Sequence, residues 1–464
     1  MNNMFNLNSI LIGENGQKVV LKNKVEEFDL FSDSFLERRE LVLLVCNNSI
    51  DAISLYVSFI GKGVVPILVN SELEESLVVD LIRMYKPSYI FTPLSNRNYG
   101  LNYDKIKLYY SYLVLKSASP VRIELNEELA ILLSSSGSTG SPKLVRISYE
   151  NLSANAISIS TYLELNSEEV AITSLPMNYS YGLSIINSHI CVGAKIVVTN
   201  KSLIQRDFWE LMKTHSVTSL SGVPYTYEIL NKLRYFKMDL PSITSMTQAG
   251  GKLSNSLIGE FAEHCKDKNI DFFVMYGQTE GTARLSYLDP KKVLDKLGSI
   301  GKALPGGKFS LVSNESEIIE SPNVAGELVY KGKNVMLGYA NQITDLSKGE
   351  ELKNTLFTGD IAYKDEEGYY FIVGRKKRFI KIYGNRFSLD EIENLIKNEG
   401  IECACIGLDD KLKVFITDLD NEHIVNSVLS KLKIQKKAFT ISPVRILPKN
   451  SSGKVLYSKL ETNG

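Results

Sequence analysis

The chain has 464 residues, too many for a single core, so two or more domains are expected. Lys plus Arg and Asp plus Glu are equal at 53 each, so no global field favours nucleic acid as a partner. Hydrophobic residues make up 44%, ordinary for a globular protein. No apolar run approaches the ~18 residues of a membrane span. The amino terminus, residues 1–12, has neither the basic start nor the apolar stretch of a signal peptide. Cys46, Cys191, Cys265, Cys403 and Cys405 form no C-x-x-C pair, so buried thiols in a reducing cytoplasm are expected, without a disulfide frame or a zinc site. His189, His215, His264 and His423 show no metal-ligand spacing and read as structural.

In chain order, Leu41–Cys46 reads as a continuous apolar strand, Asn48 as the cap of a helix through Phe59, and Gly61 and Gly63 as its stop. Val64–Val69 reads as a second strand. Uninterrupted apolar runs of this kind suit buried parallel strands joined by helices. A short apolar run at Ile131–Leu133 opens the Ser/Gly loop described below, and Leu144–Ile147 after it reads as a strand. Tyr149, Leu152, Ala156, Ile159 and Leu163 follow helical spacing. Strand patterns return at Ala171–Leu175, Lys195–Thr199 and Val217–Leu220, the last followed by a helix near Pro224. This alternation predicts α/β layers with parallel sheets. From about Gly298, short strands (Phe309–Val312, Gly326–Tyr330) between Gly, Pro and Asn turns predict a smaller β-rich unit. Asp365–Gly368 reads as a hairpin turn. After the basic run Arg375–Arg378, Leu389–Ile396 reads as a helix, and strands and helices alternate to the end. A domain junction is expected there, dividing the chain into residues 1–374 and 375–464.

The segment Leu133-Ser-Ser-Ser-Gly-Ser-Thr-Gly-Ser-Pro-Lys143 carries chemistry. Gly137 and Gly140 free backbone N–H groups to turn inward, Ser136, Ser138 and Thr139 add hydroxyls, and Lys143 adds a compact positive charge. That is the chemistry of a polyphosphate cradle. A nucleotide P-loop is excluded, because counting from Gly137 it needs glycine where Pro142 stands, and because a strand follows Lys143 instead of a helix. In Val274-Met-Tyr-Gly-Gln-Thr-Glu280 a strand delivers an aromatic ring, a hydroxyl and a carboxylate. These suit a purine face, a phosphate and Mg²⁺ in turn. Thr358-Gly-Asp360 places a carboxylate in a turn, suited to ribose hydroxyls. Gly374-Arg375, then Ile380–Arg386, then Pro448-Lys-Asn-Ser-Ser-Gly-Lys454 follow.

With these motifs in this order the chain resembles the AMP-forming adenylating superfamily: acyl-CoA synthetases, peptide-synthetase adenylation domains and luciferases. The resemblance runs from about Leu41 to Lys459. It implies a large N-terminal domain of two α/β parallel-sheet subdomains with a small β-barrel-like subdomain, and a small mobile C-terminal α+β lid. It also implies the reaction: a carboxylate attacks the α-phosphorus of Mg-ATP, pyrophosphate leaves, and the acyl-adenylate passes to a thiol of CoA or of a carrier-protein phosphopantetheine. By resemblance, Ser136, Gly137, Ser138, Thr139, Gly140 and Lys143 hold the leaving phosphates. Tyr276 and Gly277 with Gly250 and Gly251 meet adenine, Thr279 meets the α-phosphate, Glu280 holds Mg²⁺, and Asp360 and Arg375 bind ribose. Lys454 is the catalytic lysine of the lid and Lys377 the hinge residue.

The chain departs from the common family pattern at several positions. Leu144 stands for a glycine, Tyr149 for a frequent histidine, and Tyr457 for an arginine. Tyr179 stands where many acyl-activating relatives have histidine, and neither Asn178 nor Ser180 supplies the aspartate with which amino-acid-activating relatives pair the substrate ammonium. A dry pocket without that anion favours an acid lacking an α-amino group. An amino-acid-activating enzyme that loads a separate carrier is the alternative. Tyr179, Tyr181, Gly182, Gly222, Val223 and Ala249 are the expected acyl-pocket residues. The chain ends soon after Lys454, so any carrier protein is expected to be a separate partner.

Overall fold

The structure, a computed structural model, describes residues 4–33, 35–37, 39–94, 99, 102–134, 143–383, 385–449 and 455–461. Among the described residues, strands form sheets of thirteen and eight members and two small sheets of two and three. The fold is mixed α/β, with large sheets in the N-terminal part and a smaller C-terminal domain.

The eight-stranded sheet is built on four parallel strands. Leu41–Cys46 lies between Val65–Asn70 and Tyr89–Pro93, and Leu129–Ser134 pairs on the far side of Val65–Asn70. All six residues of Leu41–Cys46 are buried, which explains their unbroken apolar character. The connecting helix Ile50–Lys62 corrects the expected cap and stop. Ser49, not Asn48, accepts the amide of Ala52 at 3.1 Å, and the helix runs through Gly61 until Gly63 closes it at φ 77°. The Asn48 side chain is engaged elsewhere. It donates to the carbonyls of Thr173 (3.2 Å) and Leu175 (3.1 Å) and accepts the amide of Met177 (3.0 Å), so it holds the loop that leads to Tyr179.

The larger sheet has a parallel half, in which Ile10–Ile12, Lys195–Val197, Val170–Ile172, Ser219–Gly222, Ser245–Gln248 and Asp271–Tyr276 lie side by side. Ser286–Leu288 then pairs antiparallel with Asp271–Tyr276, and Ser299–Ala303 antiparallel with Ser286–Leu288. Through Tyr370–Arg375 and Thr355–Lys364 the sheet continues into Gly326–Lys331 and Lys308–Val312. The β-rich region expected after Gly298 is therefore one end of this sheet. Asp365–Gly368 forms the expected hairpin turn, with Gly368 at φ 78°.

Helices Ile50–Lys62, Tyr149–Tyr162 and Ser180–Cys191 share one apolar core with strands of both large sheets. Ser180–Ile190 is buried at every position, so this helix is enclosed on all sides. Helices Arg206–Thr214, Pro224–Lys232 and Asn255–Asp267 cover the other face of the larger sheet. A separate core, including Ile380, Ile392, Ile396, Cys403, Cys405, Val414 and Val425, closes the C-terminal part. Cys403 and Cys405 occupy the same face of strand Cys403–Leu408 and are buried, as their alternation predicts.

Candidate active site

Tyr276 ends the last parallel strand of the larger sheet, and the chain there meets the antiparallel strands. The Tyr276 hydroxyl donates to Asp360 Oδ2 at 2.5 Å, and Gln278 Nε2 reaches the same oxygen at 2.8 Å. Asp360, expected in a turn, lies instead inside strand Thr355–Lys364. Between the pairs Val329–Phe357 and Glu327–Ile361 that strand carries extra residues, with Gly359 at φ 72°. Such a bulge re-aims a side chain, and here it turns Asp360 to face Tyr276. Arg375 is its cross-strand partner, with Nε 3.0 Å from Oδ1. The Asp360 side chain is 4% exposed and that of Arg375 57% exposed, so the pair is lined up at a surface with its anion inside. Burial pushes the Asp360 carboxyl above its ordinary range, with Arg375 and the two hydrogen bonds pulling against it. Burial and the neighbouring carboxylate raise the Tyr276 phenol well above its usual value, so it stays a donor.

Three residues beyond Tyr276, the Thr279 hydroxyl lies 3.1 Å from that of Ser180, at the start of the enclosed helix. The next residue, Glu280, accepts the Tyr339 hydroxyl at 2.9 Å. Lys143 Nζ stands 3.2 Å from the centroid of the Tyr339 ring. The end of the Ser/Gly segment is thereby linked to the 276–280 segment through one tyrosine. Tyr339 belongs to strand Gly338–Ala340, which pairs with Leu144–Ser148 directly after Lys143. Gly277 is held by close packing: a Cβ there would lie 1.7 Å from the carbonyl oxygen of Ala283.

The expected acyl-pocket residues converge in part. A Cβ on Gly250, at φ 85°, would lie 2.6 Å from the Tyr179 hydroxyl and 3.1 Å from Val223 Cγ1, so Tyr179, Val223 and Gly250 meet at one point beside Ala249. Burial pushes the Tyr179 phenol up to about 12. Tyr181 is 4% exposed and its hydroxyl contacts Thr247, at 3.0 Å to the carbonyl and 2.9 Å to the hydroxyl. Three of the predicted glycines face protein. Gly182 packs on the Pro176 carbonyl, Gly222 on Thr226, and Gly251 on Pro224.

Ser136, Gly137, Ser138, Thr139, Gly140 and Lys454 lie outside the described residues. Lys377 is exposed in the turn Lys376–Arg378. Tyr457 is held at the same turn. Its ring lies 3.8 Å from the Arg378 guanidinium and its hydroxyl donates to Glu393 at 3.0 Å, while Arg378 also bonds Glu393 and Asp390.

Sequence reasoning did not single out Gln278 or Tyr339. Gln278 sits inside a segment already flagged, where its amide has the donors to bind both Tyr276 and Asp360. No local signal marks Tyr339, because it reaches Glu280 and Lys143 only through strand pairing across nearly two hundred residues. Among the described residues no group of three or more His, Cys, Asp or Glu could hold a metal. The half-buried carboxylate of Glu280 fits Mg²⁺ that is shared with nucleotide phosphates, which needs one or two protein carboxylates only.

The AMP-binding enzyme family matches residues 35–340. The chain belongs to the AMP-binding enzyme family. Among its AMP-binding relatives, a 2-succinylbenzoate–CoA ligase of Bacillus cereus is 26% identical over 444 residues, 92% of this chain and 88% of that protein. The o-succinylbenzoate CoA synthetase of Bacillus subtilis, in complex with the acyl-adenylate intermediate OSB-AMP, shares the fold at TM-score 0.79 and 21% identity, covering 97% of this chain and 95% of that one. Its complex with ATP and magnesium ion aligns at TM-score 0.77 and 22% identity, covering 98% and 96%. No described helix of this AMP-binding enzyme is long and apolar enough to cross a membrane.

Proposed function

We propose that this chain is an AMP-forming acid–CoA ligase: it joins a carboxylic acid to the α-phosphate of ATP, releases pyrophosphate, and passes the acyl group from AMP to the thiol of CoA. The observation that carries this reading is the convergence of Tyr276, Gln278, Asp360 and Arg375 beside Thr279 and the Lys143–Tyr339–Glu280 link. A substrate carboxylate is ionised at neutral pH and needs no general base. What remains is repulsion between anions and the need for alignment, and both are met by fixed donors and cations. Asp360 accepts the ribose hydroxyls, with Gln278 and Arg375 holding it in place. The Tyr276 ring packs on adenine. Thr279, oriented by Ser180, donates to the α-phosphate, and Lys143 with residues 136–140 carries the charge of the leaving pyrophosphate. Glu280 would hold Mg²⁺, which neutralises phosphate charge. Tyr179, Val223, Ala249 and Gly250 border the acyl group.

In this reading residues 1–374 bind the substrates and residues 375–464 form a lid that turns at Lys377 and brings Lys454 to the reacting carboxylate and phosphate. The protein works in the cytoplasm, and a separate carrier protein's phosphopantetheine is a second possible thiol. Acid-dependent ATP–pyrophosphate exchange tests the reading, followed by AMP and acyl-CoA formation when CoA is added. Lys454→Ala is expected to lower exchange by at least about 100-fold. Exchange with proteinogenic amino acids and none with simple carboxylic acids would overturn it.

A further inference from the structure

The turn Lys376–Arg378, in which Lys377 stands exposed, is held from both sides. Its first half is tied to the larger sheet: Arg375 ends the strand Tyr370–Arg375, its Nε reaches Asp360, and Lys376 Nζ pairs with Glu327 at 2.7 Å. Its second half is tied to the C-terminal part. Arg378 donates to Glu393 Oε1 at 2.6 Å and to the Cys405 carbonyl at 3.3 Å, and it carries the Tyr457 ring. The Asp390 side chain touches both halves. Its Oδ2 accepts the Arg375 amide N–H at 2.9 Å, and its Oδ1 accepts Arg378 Nε at 2.5 Å. Asp390 lies in the first turn of helix Leu389–Asn398, which Ser388 caps, and a Cβ on Gly374 would lie 2.4 Å from the Ser388 hydroxyl. The start of this helix is thus packed onto the end of the strand, with one carboxylate bridging the two ends of the turn.

Both bonds go to a charged acceptor, the stronger kind of hydrogen bond. Arg378 and Asp390 are fixed to one helix, Arg378 through Glu393 and Asp390 as its member, so they move together if the C-terminal part turns at Lys377. The Arg375 amide stays with the sheet, and its bond to Oδ2 is therefore the one that has to open. We infer that Asp390 is a positioning residue: a clasp that holds the C-terminal part in the orientation seen here and opens when that part turns between the two half-reactions. This rests on the proposed adenylating function and its lid. The clasp grips the backbone of the residue whose side chain meets Asp360, so the lid orientation and the ribose contact share one residue. A carboxylate in the first turn of a helix also stabilises that helix through its dipole. The exposed Glu391 shares that helical turn, whereas the two bridging bonds belong to Asp390, so the pair of residues separates the two roles.

The test uses the full chain and its Asp390→Ala, Asp390→Asn and Glu391→Gln variants. Trypsin cleavage within Lys376–Arg378, read by mass spectrometry, reports opening of the turn, because cleavage of a transiently opened segment tracks its open population. Loss of a hydrogen bond to a charged acceptor is expected to speed that cleavage about tenfold in Asp390→Ala, with Asp390→Asn in between. Pyrophosphate exchange, and single-turnover acyl-CoA formation from the preformed acyl-adenylate, are measured with whichever of butyrate, octanoate and benzoate supports exchange. The ratio of the two rates is expected to change at least about fivefold in Asp390→Ala, while Glu391→Gln keeps both cleavage and ratio within about twofold of the parent. Cleavage of Asp390→Ala within about twofold of the parent overturns the inference, and so does an unchanged ratio. Equal effects of Asp390→Ala and Glu391→Gln overturn it as well, since they reduce Asp390 to a helix stabiliser. A parent that exchanges with none of the acids refutes the adenylating function instead, and the cleavage rates then decide the clasp by themselves.

Discussion

Asp360→Asn separates two jobs that the carboxylate does at once. Oδ2 accepts from Tyr276 and Gln278, and Oδ1 faces Arg375. The substituted amide keeps one oxygen for the first pair and turns its nitrogen toward the guanidinium, so the folded protein loses chiefly the ion pair. Because the Arg375 side chain is 57% exposed, that loss is about 1 kcal/mol or less. Nucleotide binding loses more. A hydrogen bond to a charged acceptor contributes about 1–1.5 kcal/mol more than one to a neutral acceptor, so two ribose hydroxyls give about 2–3 kcal/mol. That corresponds to about a 30- to 150-fold rise in the Kd of ATP. Titration calorimetry with ATP and with 2′,3′-dideoxy-ATP measures it. The variant is expected to weaken ATP strongly and the dideoxy nucleotide hardly at all. Equal weakening of both would show that Asp360 acts through the Tyr276 cluster and not on the sugar.

Two further outcomes follow from the geometry. Gly277→Ala puts a methyl group 1.7 Å from a backbone oxygen, so the 277–283 loop must move and carry Thr279 and Glu280 out of place; pyrophosphate exchange should fall by at least about 100-fold, and a loss under tenfold would contradict the packing argument. Burial holds the His189 imidazole down at about 4, against an ordinary value of 6.5. The unfolded chain thus takes up a proton as pH falls below 6.5, while the folded one does not until about 4, so stability is lost across that window by up to about 3 kcal/mol. The drop in urea midpoint between pH 7.5 and 5 should be smaller in His189→Gln than in the parent, and an unchanged drop refutes the assignment.

The parallel core was legible because burial on both faces leaves a plain mark: Leu41–Cys46 has no polar residue to misplace. The 274–280 segment was legible because its chemistry is contiguous in the chain. Asp360 was found but misplaced, since a bulge inside a long strand looks locally like a turn, with glycine at positive φ in either case. Asn48 and Ser49 are both good capping residues, and the choice between them was made by the distant loop 173–177 that claims Asn48. Tyr339 carried no signal at all. A tyrosine in a short strand is ordinary until strand pairing shows what it touches.

The continuity of the larger sheet has a mechanical consequence. Tyr276, at the end of a parallel strand, and Asp360 with Arg375, on antiparallel strands, belong to a single hydrogen-bonded beam joined through Ser286–Leu288 and Ser299–Ala303. Flexing between Tyr276 and the Asp360–Arg375 pair would break several backbone ladders together. In the proposed nucleotide mode the grip is a stiff jaw with no joint of its own, and freedom to admit or release ATP is expected from segments outside this sheet.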